Sequence, residues 1–168
     1  MDKLELKSAF AADDTGAIAG NAWVFDTPDR IGDIIEKGAF TFPARLPILF
    51  AHDPAEPVGV WDDITETRTG LSVRGRLLVD DVARAREVRA LVQAGAITGL
   101  SIGFTVKNAT GRKGGGRNIK SLELAEISLV TVPMHPKARV TSAKSASDLL
   151  AITDAINRAA LAFRTQGN

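Results

Sequence analysis

The chain has no cysteine and no tyrosine, and only two histidines among its 168 residues. Without cysteine there is no disulfide framework, no thiolate zinc site and no thiol nucleophile, and the composition fits a reducing compartment. The scarcity of histidine leaves His52 and His135 as the whole set of imidazole bases. Neither sign of charge dominates: Lys and Arg number 21 against 20 Asp and Glu, a net charge of +1. No whole-chain field therefore draws the protein to nucleic acid or to an anionic membrane. No apolar run approaches the roughly 18 residues of a membrane span, and Met1-Asp2-Lys3-Leu4-Glu5 opens no apolar signal core. These absences predict a soluble protein made in a cytoplasm, with no membrane partner and no specific nucleic-acid partner.

What is present reads mainly as short strands. Leu4, Leu6 and Phe10 alternate with Glu5 and Lys7, the period-2 pattern of a half-buried strand. Similar readings cover Ala17 to Phe25, Leu46 to Ala51, Pro57 to Ile64, Gly70 to Val79, Ser101 to Asn108 and Ile119 to Val132. Strands separated by turn residues favour a barrel or sandwich over an alternating α/β fold. Two helices flank it. From Val82 to Ala94 apolar residues recur at helical spacing, with Asp80 or Asp81 as the expected cap and Gly95 as the stop. From Ser147 to Phe163 the residues Leu149, Ile152, Ile156 and Ala160 form an amphipathic stripe. The fold class is thus mostly β with flanking helices, in three parts: a body over 1–140, a small polar linker over 141–146 and a helical tail over 147–168.

Three segments carry chemistry. Gly99-Leu100-Ser101-Ile102-Gly103 frames a serine between glycines, Leu49-Phe50-Ala51-His52-Asp53 ends a strand on a histidine, and Leu124-Ala125-Glu126-Ile127-Ser128 sets a carboxylate in a largely apolar strand. A serine hydroxyl needs an imidazole to take its proton, and a third group must hold that imidazole in one tautomer. The glycine-serine-glycine pattern matches the elbow of α/β-hydrolases, but there the serine joins a strand to a helix and precedes its histidine. Here a helix precedes the motif and a strand follows, so the glycines are read as small residues that let a substrate backbone approach. Leu122, Leu124, Glu126, Ser128 and Val130 are assigned one strand face, and Ala125, Ile127 and Leu129 the other. A buried carboxylate at Glu126 costs several kcal/mol unless paired. The bland alternatives are a turn role for Ser101, a strand-end bond from His52 to Asp53, and an exposed His135 between Pro133 and Pro136. The loop Gly111-Arg112-Lys113-Gly114-Gly115-Gly116-Arg117 lacks the ending of a P-loop and reads as a mobile hairpin loop. A metal held by His52, Asp53 and His135 has no short ligand spacing.

The combination resembles the prohead (capsid maturation) serine proteases of tailed bacteriophages, which are distantly similar to herpesvirus assemblins. The likeness runs from about Trp23 to Ser145. It rests on Asp29-Arg30-Ile31-Gly32-Asp33 followed by Gly38-Ala39-Phe40, on the His52 strand, on Pro57-Val58-Gly59 and Gly70-Leu71-Ser72-Val73, on the run from Gly95 to Phe104, and on Glu126 to Thr131. The resemblance implies a small closed or partly closed β-barrel of the herpesvirus-protease kind, with 1–140 as the protease domain, and an acyl-enzyme peptidase. Ser101 would be its nucleophile, His52 its general base and Glu126 the orienting carboxylate. After Val132-Pro133 the chain has Met134-His135, a departure from the family's usual pattern that keeps His135 as an alternative third member. No cofactor and no metal are implied. The implied substrates are the scaffolding segment of the major capsid protein, other procapsid proteins and the enzyme itself, and the accessible linker places the expected self-cleavage between about Thr141 and Ala146, with Lys144-Ser145 the favoured bond. The implied setting is the assembling procapsid in a bacterial host cytoplasm, where self-association is also allowed. A non-catalytic capsid-assembly barrel and a small-molecule serine esterase are the competing functions.

Overall fold

The computed structural model describes residues 15–142. The expected strand near Leu4, the tail helix from Ser147 and most of the linker lie outside those residues. Within them, β1 spans Ala17–Val24, β2 Ile34–Ile35, β3 Phe40–Thr41, β4 Leu46–Phe50, β5 Asp53–Glu66 and β6 Gly70–Leu77. The helix α1 follows at Ala83–Gln93, then β7 at Gly99–Gly111, β8 at Arg117–Val130 and β9 at Arg139–Ser142. The path β8, β4, β5, β6, β1, β9, β7 returns to β8, closing a seven-stranded barrel. β7 and β8 pair antiparallel along their length, while the other edge of β8 is taken in turn by β2, β3 and β4, all parallel. Closure is weakest between β9 and β7, which pair only at Gly99 and Arg139.

The alternating apolar residues fill this barrel. Trp61 is fully buried, and its indole Nε1–H donates to the Ile127 carbonyl at 3.0 Å, so one of the two core tryptophans also satisfies a backbone acceptor. Ile48, Val73, Leu100 and Leu129 are likewise sealed from solvent, each contributing roughly 1.5–3 kcal/mol by burial.

The helix differs from its expected ends in one respect. Its N-cap is Val82, in extended conformation with no side-chain cap, rather than Asp80 or Asp81. The Val82 N–H donates to the Leu78 carbonyl at 2.9 Å, so the chain enters α1 through a backbone turn that leaves both aspartates ahead of the capping position. The stop is as expected. Gly95 takes φ +75° and the Ala96 N–H reaches back to the Leu91 carbonyl, the hydrogen bonding of a Schellman motif. Ala85, Val88 and Val92 form the buried face. One helix, not two, flanks the barrel among the described residues.

The glycine-rich loop between β7 and β8 is fastened rather than free. The Arg112 guanidinium donates to the Gly32 carbonyl, and Arg117 forms an ion pair with Asp33, itself nearly buried, through Nε and Nη2. Its own N–H also reaches Asp33 Oδ1 at 2.8 Å. Gly116 packs against Gly32 so closely that any side chain there would overlap the Gly32 carbonyl. Asp29 Oδ1 in turn accepts the N–H groups of Ile31 and Asp33, so the Asp29–Asp33 segment is a compact turn braced by the loop.

Candidate active site

His52 sits at the tip of the β4–β5 hairpin, whose two-residue turn is Ala51-His52. Both residues have positive φ, +54° and +61°, the backbone of a type I′ turn. Neither is glycine, so the turn stores roughly 1–3 kcal/mol of strain per residue. Two bonds to β8 hold it: the Ala51 N–H donates to the Leu129 carbonyl at 3.0 Å, and the His52 N–H to Ser128 Oγ at 3.1 Å. The hairpin thereby curls over β8 and lays the imidazole on its outer face. The strand-end bond from His52 to Asp53, the bland alternative for this histidine, is not made; Asp53 Oδ1 accepts the Ala55 N–H instead.

The carboxylate reaches that face through a β-bulge. Gly103 pairs with Glu126 and Phe104 with Leu124, leaving Ala125 as an extra residue on β8. The bulge shifts the alternation, so the face assignment from the sequence does not hold. Leu122 and Leu124 point into the core before it, Ile127 and Leu129 after it, and Glu126 and Ser128 turn outward. Glu126 Oε1 then lies 2.6 Å from His52 Nδ1, with His52 at 43% and Glu126 at 14% side-chain exposure. Oε2 accepts the Ser128 hydroxyl at 2.6 Å. A carboxylate against Nδ1 puts the proton on that nitrogen and leaves Nε2 as a lone-pair acceptor.

Ser101 pairs with Ser128 across the β7–β8 ladder and shares its outward face. It is nearly buried, 5% exposed, and no hydrogen bond joins its hydroxyl to His52 among the described residues. The approach expected of nucleophile and base allows such a longer contact, which tightens as substrate binds. Gly103 has a role that the sequence reading placed elsewhere. Any side chain at this position would overlap the Glu126 carboxylate, so the glycine makes room for the carboxylate rather than for a substrate backbone. Gly99 likewise accommodates the Pro133 ring.

Beside Ser101 a narrow cleft opens at the loosely closed seam of the barrel. Its walls include Trp23, Ile102, Phe104 and Met134, with Asp29 and His135. Beyond Gly99 the edge of β7 that faces β1 carries no ladder among the described residues, so extended backbone groups border the cleft.

His135 is buried, not exposed as one reading had it. Its Nε2–H donates to the Thr27 carbonyl at 3.2 Å, Nδ1 accepts the Lys137 N–H at 3.2 Å, and the ring meets Trp23 edge-on at 4.5 Å. Burial pushes its pKa below the usual histidine value, opposed by the nearby Thr27 and Val24 carbonyls. Both nitrogens are occupied by the backbone, and the ring facing His52 across a hydrogen bond belongs to no second histidine. Glu126 fills that place.

Residues 2–151 match the model of the Caudovirus prohead serine protease family. This chain belongs to that family. It is 35% identical over 166 residues to the prohead protease of Enterobacteria phage HK97, covering 94% of this chain and 72% of that protein. It is 30% identical over 125 residues to the prohead protease of Escherichia phage T5, covering 70% and 58% respectively. A capsid polyprotein of Pseudomonas phage PAJU2 is 31% identical over 148 residues, 84% of this chain but only 22% of that longer protein. As a member of the prohead protease family the chain is a serine protease of phage capsid maturation. The sequence singles out Ser101, His52 and Glu126 as candidates but not Ser128, which bonds His52 and Glu126, nor the space that Gly103 leaves for the Glu126 carboxylate. The signal for Ser128 was its place two residues from Glu126 on one strand face.

Proposed function

We propose that this protein is the endopeptidase that cuts the scaffolding segment of its major capsid protein, other procapsid proteins and itself, with Ser101 as nucleophile, His52 as general base and Glu126 as the orienting carboxylate. The observation that carries this reading is the 2.6 Å contact between His52 Nδ1 and Glu126 Oε1 on the face shared by Ser101. Ser101 Oγ attacks the scissile carbonyl while His52 Nε2 takes its proton, and Glu126 stabilises the imidazolium that forms. The proton passes to the leaving amine, and water then cleaves the acyl-enzyme by the same route. The substrate enters extended along the open edge of β7, with a side chain next to the scissile bond in the apolar cleft. The work takes place inside the assembling procapsid, in the host cytoplasm. The likeness to part of a capsid polyprotein supports a capsid-protein substrate.

Self-cleavage at Lys144-Ser145 is intermolecular in this reading. Thr141 and Ser142, assigned to the linker from sequence, belong to β9. From the Gly99–Arg139 pair, β9 runs to Ser142 in one direction and β7 to Ser101 in the other, a separation of about 16 Å along the strands at ~3.3 Å per residue. Two residues beyond Ser142 reach at most about 7 Å. Wild-type enzyme and Ser101→Ala, each produced with the cognate capsid protein and weighed by mass spectrometry, test the proposal. Capsid cleavage only with wild type, and removal of the tail from Ser101→Ala when wild type is added, are expected. Processing unchanged in Ser101→Ala would return the chain to a non-catalytic assembly role.

A further inference from the structure

We infer that Ser128, which is not itself a member of the proposed triad, is a positioning residue that holds both the base and its carboxylate; this rests on the triad reading above. Ser128 is completely buried. Its hydroxyl has one proton to give and lone pairs to share. The proton goes to Glu126 Oε2 at 2.6 Å, and a lone pair accepts the His52 N–H at 3.1 Å. With the 2.6 Å contact between Glu126 Oε1 and His52 Nδ1, these bonds close a ring through carboxylate, imidazole, His52 backbone and Ser128. The ring fixes two things a free site would leave loose. One is the rotation of the glutamate carboxylate, held so that one oxygen meets the imidazole while the other accepts from Ser128. The other is the height of the strained hairpin tip, which would relax from its positive φ values without anchors on β8.

Ser128 is not an alternative nucleophile, although it pairs with Ser101 across the ladder and its Cβ stands about 4.5–5.5 Å away as cross-strand partners do. Its proton is committed to a carboxylate that is itself committed to the base. It is also sealed from solvent, whereas Ser101 borders the open cleft. The two serines therefore divide the work: Ser101 reacts, and Ser128 aims the group that activates it.

The test uses the full chain and a fluorophosphonate probe, with the labelled serine located by mass spectrometry, alongside kcat and KM on the capsid protein and thermal unfolding of each variant. Ser128→Ala should slow labelling and lower kcat by about 10–100-fold, with KM within about threefold and the label still on Ser101. Ser128→Thr keeps the hydroxyl and should return to within about threefold of wild type, an outcome that mere packing at this site would not produce. Labelling of Ser128→Ala at the wild-type rate, a loss confined to KM, a threonine variant as slow as the alanine variant at equal stability, or a label on Ser128 itself would each overturn the inference. Ser101→Ala separates the two levels. If it labels like wild type, the triad reading fails; if it is silent while Ser128→Ala labels normally, only the role of Ser128 fails.

Discussion

The hairpin tip that carries His52 and the turn that carries His135 treat the same side chain in opposite ways. At the tip the imidazole is 43% exposed, one nitrogen faces a carboxylate and the other is the one proposed to take the proton of Ser101. In the turn the ring is buried against Trp23 and both nitrogens are spent on backbone groups. The backbone follows the same division: His52 sits in a strained positive-φ turn anchored on β8, while no such strain is recorded at His135. Strain and an unspent lone pair mark the histidine proposed as the base, and saturated hydrogen bonding marks the one built into the structure.

Exchanging the two residues for alanine should break the comparison most sharply. His52→Ala is expected to lose about 10⁴–10⁶ in kcat with little change in unfolding temperature. His135→Ala should do the reverse, holding kcat within about tenfold while losing roughly 2–4 kcal/mol of stability to a cavity and two unpaired backbone groups. Capsid-cleavage kinetics beside chemical denaturation decide this, and a greater kcat loss for His135→Ala would reverse the assignment of base and scaffold.

A smaller effect sharpens the same contrast from the side of the carboxylate. Gly103→Ala puts a methyl where Glu126 now lies and should cost about 10–100-fold in kcat by moving the carboxylate off His52. Because both changes act on one contact, Gly103→Ala combined with Glu126→Ala should be no slower than Glu126→Ala alone. Additive losses in that cycle would mean that the glycine serves something other than the carboxylate.

The smallest effect is on stability. The pKa of His135 is lowered in the fold, so acid protonates it in the unfolded chain first. Between the ordinary histidine value of about 6.5 and the lower folded value, the unfolded state binds more protons and stability falls as pH falls. One such group contributes a slope of at most about 1.4 kcal/mol per pH unit. Denaturation of wild type and His135→Gln from neutral pH downward should show the shallower slope in the variant. Equal slopes would show that burial does not hold this ring neutral.

Much of this protein was legible in the order of its residues. Alternation located β1, β4, β5, β6, β7 and β8, because a half-buried strand must show one apolar face. Helical spacing and Gly95 located α1. The candidate site was legible as residue types, since only two imidazoles were available and a carboxylate in an apolar strand demands a partner. The two-residue strands Ile34–Ile35 and Phe40–Thr41 were not, being too short to show any period. Only the tertiary structure decided which histidine meets Glu126, because one extra residue, Ala125, reverses which way every later side chain on β8 faces. It also decided that Ser128 joins the site, that Gly103 yields space to a carboxylate, and that the glycine-rich loop is clasped to Gly32 and Asp33. Each of these depends on contacts between residues far apart in the chain, and local periodicity carries no record of such distances.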